Sequence, residues 1–418
     1  MSTGRRVVDQ VVVIGAGPSG LSTAAELLAR DVPTVVLDRG GAGAAWASRY
    51  DSLRLNTSRR LSALPDAPFP RGYGQFPTRD QYVAYLRDYA RARGVVVEAG
   101  VEVRAIRPAE GGWVVDTDAG ARLASDVVVA TGIFRTPVLP SWPGRFDGDV
   151  VHAADYREPA PYRGRRVVVA GAGSTGMELA AELARAGARE VHLAVRTPPS
   201  ILLRENHGVP GDLLVPLFLR LPPRVTDRVL ALVQRLTVGD LSAFGLPRPT
   251  EGVLARLFAH GRGPAIVDRE VLDAVRSGAV RCVPAVVRLD GPAVVLADGT
   301  RLLADALVAA TGFRAGLEEL VGGLGVLDDA GMPRVRDGGE AAPGLRFVGF
   351  VHRPGLLGYT GSIARRVAMD LAGLRAPAPA HGGARLVSAG PRCGRRARVR
   401  PAPRARAGCA RRAWRRPT

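Results

Sequence analysis

Val11-Val12-Val13-Ile14-Gly15-Ala16-Gly17-Pro18-Ser19-Gly20 decides how the rest of this chain is read. Three valines and an isoleucine, all β-branched, predict a short buried strand. Gly15-x-Gly17-x-x-Gly20 then turns the chain into a helix expected over Leu21 to Arg30. In such a turn the first glycine permits the tight bend and the second lets a pyrophosphate reach the backbone. The third lets helix pack on strand. Free N–H groups at the helix start favour an anion, so Gly15, Gly17, Pro18, Ser19 and Gly20 are expected to line a diphosphate. Thr34-Val35-Val36-Leu37 reads as a second strand and ends in Asp38, 23 residues beyond Gly15. A carboxylate at that point can hydrogen-bond a ribose diol, and Arg39 beside it is assigned to the same site. A lone glycine turn says little; strand, helix and acidic strand end together mark a dinucleotide site.

The pattern recurs 156 residues further on as Val167-Val168-Val169-Ala170 and Gly171-Ala172-Gly173-Ser174-Thr175-Gly176, with a helix expected over Met177–Ala186. Two copies of one unit are implied. Gly171, Gly173, Ser174, Thr175 and Gly176 are expected to bind the second dinucleotide. Its second strand, Glu190–Val195, ends in Arg196 rather than an acid, and a guanidinium there suits the 2′-phosphate of NADP. One site with Asp38 and one with Arg196 imply FAD held permanently and NADPH visiting to reduce it. Strand endings repeat as well: Asp126–Ala130 runs into Thr131-Gly132, and Leu307–Ala310 into Thr311-Gly312, all four assigned to cofactor binding.

The predicted fold is therefore α/β, with two dinucleotide-binding Rossmann-like domains, the FAD domain discontinuous and the NADPH domain inserted into it. Expected divisions are 1–155 for the first FAD segment, 156–300 for the NADPH domain and 301–376 for the second FAD segment. Residues 377–418 form an Arg/Ala/Pro-rich tail that cannot bury a core and reads as disordered. Its composition also fits a tether to nucleic acid or membrane, or translation from a shifted reading frame.

With 418 residues and 46% hydrophobic content the chain can hold two or three cores. The net charge of +19 suggests a nucleic-acid partner at first sight. All 58 basic residues are arginine, however, and residues 382–418 hold 12 of them with no acid, leaving +7 for the body. That mild excess suits phosphate-bearing cofactors, and no nucleic-acid partner is expected. Three scattered cysteines make no disulfide framework or CxxC pair, and six scattered histidines make no metal site. The first strand begins too early to leave room for a signal peptide, and no apolar run reaches the roughly 18 residues of a membrane span. A cytoplasmic location follows.

Between these landmarks, Trp46 follows a glycine-rich loop and reads as a wall beside the flavin or as core packing. Thr78 reads as the N-cap of a helix from about Arg79 to Arg93. Residues 133–165, with Pro137, Pro140, Pro143, Pro159 and Pro161, read as a linker. Residues 209–250 are apolar but proline-broken and read as short packed helices, the alternatives being a substrate-entry lip or a peripheral membrane contact. After a strand over Leu345–Phe350 comes a loop, His352–Gly361, and a helix from about Ser362 to Ala372.

The linker carries Phe146-x-Gly148-x-x-x-His152-x-x-x-Tyr156. With a glycine turn on either side, this resembles the fingerprint of the flavin-containing monooxygenases, the class B flavoprotein monooxygenases. The likeness runs from Val11 to about Ala372. It is nearest to the plant YUCCA-type indole-pyruvate monooxygenases and their bacterial relatives, through Val195-Arg196-Thr197, Ser277-Gly278 and Gly355-Leu356-Leu357-Gly358. Baeyer–Villiger relatives carry Trp where Tyr156 stands. The resemblance implies that NADPH reduces FAD and that NADP⁺ stays bound. Oxygen then adds at flavin C4a to give a hydroperoxide that oxygenates a small organic substrate. A soft nitrogen or sulfur centre, or an α-keto acid, fits that chemistry, and water must be excluded. Asn56 matches the family asparagine whose amide donates near the flavin or the retained NADP⁺; read locally, it caps a strand end. His152 reads as a hinge residue bonded to backbone rather than a proton shuttle, with Phe146 and Tyr156 packed beside it. The rival reading is a non-oxygenating FAD/NADPH flavoprotein, a redox sensor or transport-associated oxidoreductase.

Overall fold

The computed structural model describes residues 10–373; the arginine-rich tail, with Cys393 and Cys409, lies outside the described residues. β1 (Val11–Ile14) is buried along its whole length. Alternate residues point to opposite faces. Val11 and Val13 pack with Leu21, Ala24 and Leu27 of α1 (Pro18–Leu28), while Val12 and Ile14 join Trp113, Val115 and Phe347 on the far side. A strand covered on both faces reads as an unbroken apolar run, and each such side chain contributes about 1.5–3 kcal/mol by leaving water. β1 pairs in parallel with β2 (Thr34–Asp38) and with β3 (Asp126–Val129), Val11 facing Thr34 on one side and Asp126 on the other. The sheet order is 340–342, 345–347, β3, β1, β2, 97–99, antiparallel only at its outer pair.

The second unit repeats this plan. β4 (Arg166–Ala170) places Val167 and Val169 against Leu179 and Leu183 of α2 (Ser174–Arg185), and Val168 and Ala170 against Val294 and Leu307. β4 pairs in parallel with β5 (Glu190–Val195) and with β6 (Ala306–Ala309). The order is 149–152, β6, β4, β5, 281–284, parallel throughout. In both sheets the strand carrying the glycine turn lies between the strand that follows its helix and the strand that returns late in the unit. Both turns therefore open at the carboxyl edge of a central strand, where open α/β sheets bind ligands.

Three readings need correction. Residues 133–165 are more than a linker: Thr136–Pro137 pairs with Phe313–Arg314, and Asp149–His152 is an edge strand of the second sheet. Asp149 and Val150 are exposed, so the edge strand lacks the two-sided apolar pattern that reveals β1. Sheet membership thus begins seven residues before 156 and, through β6, extends nine beyond 300. α3 (Leu356–Leu371) starts six residues ahead of Ser362. The glycines that suggested a loop are helical: a Cβ on Gly358 would stand 2.7 Å from the Leu61 carbonyl oxygen, and one on Gly361 would stand 2.6 Å from the Pro65 ring.

The third correction concerns residues 209–250. Helices form at Val215–Phe218 and Pro223–Thr237, but they are poorly packed. Only Thr226 and Leu230 of the longer helix are buried, while Leu213, Leu214, Leu217, Val225, Leu232 and Leu236 stay exposed. Among the described residues no helix is long and apolar enough to cross a membrane.

Candidate active site

The two glycine turns are superposable in their physics. Gly15 and Gly171 both adopt left-handed backbone, φ +105° and +117°, a region that β-carbons disfavour. A Cβ on Gly20 would fall 1.8 Å from the Gly15 carbonyl oxygen, and one on Gly176 would fall 1.8 Å from that of Gly171. Each helix is thus seated directly on its strand end. Gly17 and Gly173, at the two N-caps, face open space with nothing within 4 Å of a built Cβ. Each turn therefore offers a helix N-terminus and an unobstructed backbone, the arrangement a diphosphate needs. Pro18 fills the first helical position of α1, where its missing N–H costs nothing. Ser19 is buried under Gly349, where a Cβ would come within 2.3 Å of its Oγ.

The strand ends differ in chemistry. Asp38 accepts from the N–H groups of Ala16 at 2.7 Å, Gly40 at 2.8 Å and Gly41 at 2.9 Å. It shapes the turn as well as facing it. Of about four acceptor positions on a carboxylate, three are filled and one is left for a hydroxyl. Arg39 is exposed and pairs with Glu102 at 3.4 Å. Thr131, two residues past β3, keeps a buried Oγ1 without a partner beside the first turn, and Gly132 follows it in left-handed backbone. An orphaned donor and acceptor at the cradle fits a polar ligand group there. At the second turn the Ser174 Oγ accepts from Ile266 N–H at 2.8 Å, and Thr175 bonds Tyr50. Arg196 is exposed one residue past β5, with no ion pair or hydrogen bond among the described residues. Thr311 donates to the Val138 carbonyl, and the Gly312 carbonyl bonds His152, so this ending braces the crossing between the sheets. Trp46 packs edge-on to Tyr82 with ring centres 4.7 Å apart and remains half-buried.

His152 has both ring nitrogens engaged by backbone. Nδ1 accepts from Ala154 N–H at 3.0 Å, which leaves Nε2–H to donate to Gly312 O at 3.1 Å. Burial pulls its pKa below the ordinary value. A neutral ring bonded in this way fixes the crossing, as a hinge residue does. Tyr156 is buried beside Tyr162 and donates to Glu182 at 3.0 Å.

Asn56 stands where the first unit meets the second. Its side chain is exposed, yet its Oδ1 accepts from Arg204 Nη2 at 3.2 Å. Arg204, 3% exposed, also bonds Glu178 and Asp268. Glu178 accepts in turn from the Tyr50 hydroxyl at 2.5 Å. Burial pushes both the Glu178 carboxyl and the Tyr50 hydroxyl up, with Arg204 pulling the other way on each. Nothing in the motifs pointed to Arg204, Asp268 or Glu178. The available signal was two acids, Glu178 and Glu182, in the otherwise apolar stretch Met177–Leu183, since a buried charge needs both a partner and a reason.

Two distant loop regions pack on the segment that follows Asn56. Ser58 N–H donates to Asp212 at 2.6 Å, α3 packs on Leu61, and a Cβ on Gly261 would meet the His352 ring at 2.8 Å. Segments near 56–62, 204–212 and 352–358 therefore form one rim, although they lie far apart in sequence.

Comparison with known proteins agrees with this geometry. Residues 12–205 match the family model described as pyridine nucleotide-disulphide oxidoreductase, although this chain has no CxxC pair. The chain is 38% identical over 381 residues to the rice indole-3-pyruvate monooxygenase YUCCA1, covering 87% of this chain and 91% of that protein. It is 34% identical over 376 residues to the probable indole-3-pyruvate monooxygenase YUCCA1 of Arabidopsis thaliana, covering 87% and 90%. The solved flavin-containing monooxygenase of Stenotrophomonas maltophilia superposes with a TM-score of 0.66 at 27% identity, over 88% of this chain and 99% of that one. Cyclohexanone monooxygenase, at 21% identity and a TM-score of 0.67 over 87% of each chain, shares the fold. Relatives of near-equal length that are monooxygenases by name decide against a non-oxygenating carrier of electrons. The chain belongs to the flavin-containing monooxygenase family and is a flavoprotein monooxygenase that uses FAD, NADPH and oxygen.

Proposed function

We propose that this monooxygenase acts on an α-keto acid of the indole-3-pyruvate type. The observation that carries the reading is identity of 31–38% with relatives named for that activity, spread over nearly the whole chain. Written out, the keto acid, NADPH, H⁺ and O₂ give the carboxylic acid one carbon shorter, CO₂, NADP⁺ and H₂O. Without substrate, NADPH, H⁺ and O₂ give only NADP⁺ and H₂O₂. Bound FAD supplies hydride acceptance and oxygen activation; the protein must bind, orient and keep water out. In this reading Gly17, Thr131 and Asp38 hold FAD, and Gly173 and Arg196 hold NADPH. Asn56, in the same reading, offers its amide N–H groups between them. In the rim, Arg353 lies over the Tyr359 ring, 3.6 Å from its centre, and has no ion pair among the described residues. A stacked, unpaired guanidinium suits a substrate carboxylate.

The test supplies FAD-loaded enzyme with NADPH, oxygen and indole-3-pyruvate and measures CO₂ against peroxide. About one CO₂ per NADPH is expected, because binding excludes the wasteful path. Arg353→Ala is expected to raise KM roughly tenfold or more with little change in kcat, as loss of one charge-assisted contact does. Peroxide alone with the keto acid, and oxygenation of a thioether or tertiary amine instead, would refute this substrate class.

A cytoplasmic location and contact with an anionic membrane surface belong to the same proposal. The exposed Val225, Val229, Leu232 and Leu236 alternate along one helix with Arg224, Arg228 and Arg235, and Asp227 is spent capping the helix that begins at Val253. An apolar face edged with arginine suits such a surface. Sedimentation with phosphatidylserine vesicles should carry the protein down at low salt, and a Leu232→Glu/Leu236→Glu variant should stay in solution. Equal behaviour of the two would contradict the contact.

A further inference from the structure

Arg204 does more than a structural ion pair requires. An ion pair within the second unit would be complete with Glu178 alone. Here one guanidinium, almost wholly buried, reaches two carboxylates and the Asn56 Oδ1 while its own Nε is left without a partner. A half-satisfied buried network of this kind stabilises a fold poorly. Its third arm has a geometric consequence. Guanidinium nitrogens only donate, so the amide oxygen must be the end of Asn56 that faces Arg204. The Nδ2 end is turned away, and no protein partner for it exists among the described residues.

The anchors of Arg204 lie in the NADPH unit. Glu178 is in α2, four residues beyond Ser174, and its second oxygen holds Tyr50 at 2.5 Å. Thr175, in the phosphate turn itself, also contacts Tyr50. The segment from Tyr50 to Asn56 is thus tied to the helix that starts at the second glycine turn directly at Tyr50 and, at Asn56, through Arg204. Asp268 holds Arg204 from the N-cap of the helix Arg269–Arg276.

We propose that Arg204 is a positioning residue. Held by Glu178 and Asp268, it orients the Asn56 amide so that its N–H groups face the bound cofactors, and it links that orientation to the helix that receives NADPH. The inference rests on the role given to Asn56 above.

The experiment compares FAD-loaded wild type with Asn56→Ala, Arg204→Lys, the double variant and Asn56→Asp. Lysine keeps a positive charge between Glu178 and Asp268 but, as a point charge, cannot span three acceptors. Asn56→Ala and Arg204→Lys are both expected to retain FAD, with peroxide per NADPH rising roughly tenfold, in the range seen for contacting residues. The double variant should release no more peroxide than Asn56→Ala, since Arg204 acts through Asn56. Asn56→Asp strengthens the bond to Arg204 but lacks the donors, so it should leak like Asn56→Ala. As a readout apart from turnover, NADP⁺ added to the oxidised holoenzyme should perturb the flavin absorbance spectrum less in Arg204→Lys than in wild type. Should Arg204→Lys fail to fold, Asp268→Asn loosens the same guanidinium from its solvent side and is expected to add peroxide leakage where Asn56 is present and none in the Asn56→Ala background. Additive leakage in the double variant would overturn the positioning role while leaving Asn56 intact. No leakage from Asn56→Ala would remove the role of Asn56 itself, and a coupled Asn56→Asp would overturn the amide orientation.

Discussion

An Arg196→Ala enzyme is expected to lose about ten- to a hundredfold in kcat/KM for NADPH while its slower reaction with NADH changes little. Charge-assisted hydrogen bonds to a phosphate are worth about 1.5–3 kcal/mol, and each 1.4 kcal/mol is about tenfold. The asymmetry is the informative part. Arg196 stands past the end of β5 with no protein partner among the described residues, so its removal leaves no buried charge behind and should not disturb the fold. Asp38 stands at the matching end of β2 and would repel a 2′-phosphate, so the proposal expects the phosphorylated dinucleotide at the second turn. An equal loss with both nucleotides would show that Arg196 supports the strand end instead of reading the phosphate.

Alanine at two glycines of one turn should separate folding from cofactor binding. Gly17 has an ordinary extended conformation and open space above it. Gly17→Ala is therefore expected to leave the flavin-free unfolding midpoint within about 1 °C of wild type, since no native contact is disturbed. The methyl would occupy the path of the pyrophosphate, so FAD affinity should fall roughly tenfold or more. Gly20→Ala is different. Its Cβ would overlap the Gly15 carbonyl oxygen at 1.8 Å, a contact with rigid backbone that can be relieved only by lifting α1 off β1. Overpacking of this kind costs about 1–3 kcal/mol or more and should lower the flavin-free midpoint by several degrees as well as abolish FAD retention. Gly173→Ala and Gly176→Ala should repeat the contrast for NADPH. If Gly17→Ala bound FAD normally, the first turn would be a packing device and not a phosphate site.

What could be read in the sequence was what is written locally. The run Val11–Ile14 with its turn, and Val167–Ala170 with its own, declare themselves because buried parallel strands and diphosphate turns impose composition on neighbouring residues. The position of Arg196 at the end of its strand was legible for the same reason, as an offset along one unit. The edge strand Asp149–His152 stayed hidden because one side of it meets solvent. The early start of α3 stayed hidden because Gly358 and Gly361 look like loop residues until Leu61 and Pro65 are seen pressed against them. The exposed face of Pro223–Thr237 misled because apolar periodicity reports an apolar face and not what covers it. The cluster of Tyr50, Asn56, Glu178, Arg204 and Asp268 was beyond reach, since its members come from four separate segments brought together only in the folded chain.

The central claim is that the two turns hold FAD and NADPH so that one reduces the other. Anaerobic titration of the purified, FAD-supplied chain with NADPH, followed through the flavin absorbance, tests it most directly. The account predicts retained flavin, full bleaching at close to one NADPH per flavin, and recovery of the colour when oxygen is admitted. A protein that keeps no flavin, or a bound flavin that NADPH leaves oxidised, would contradict it.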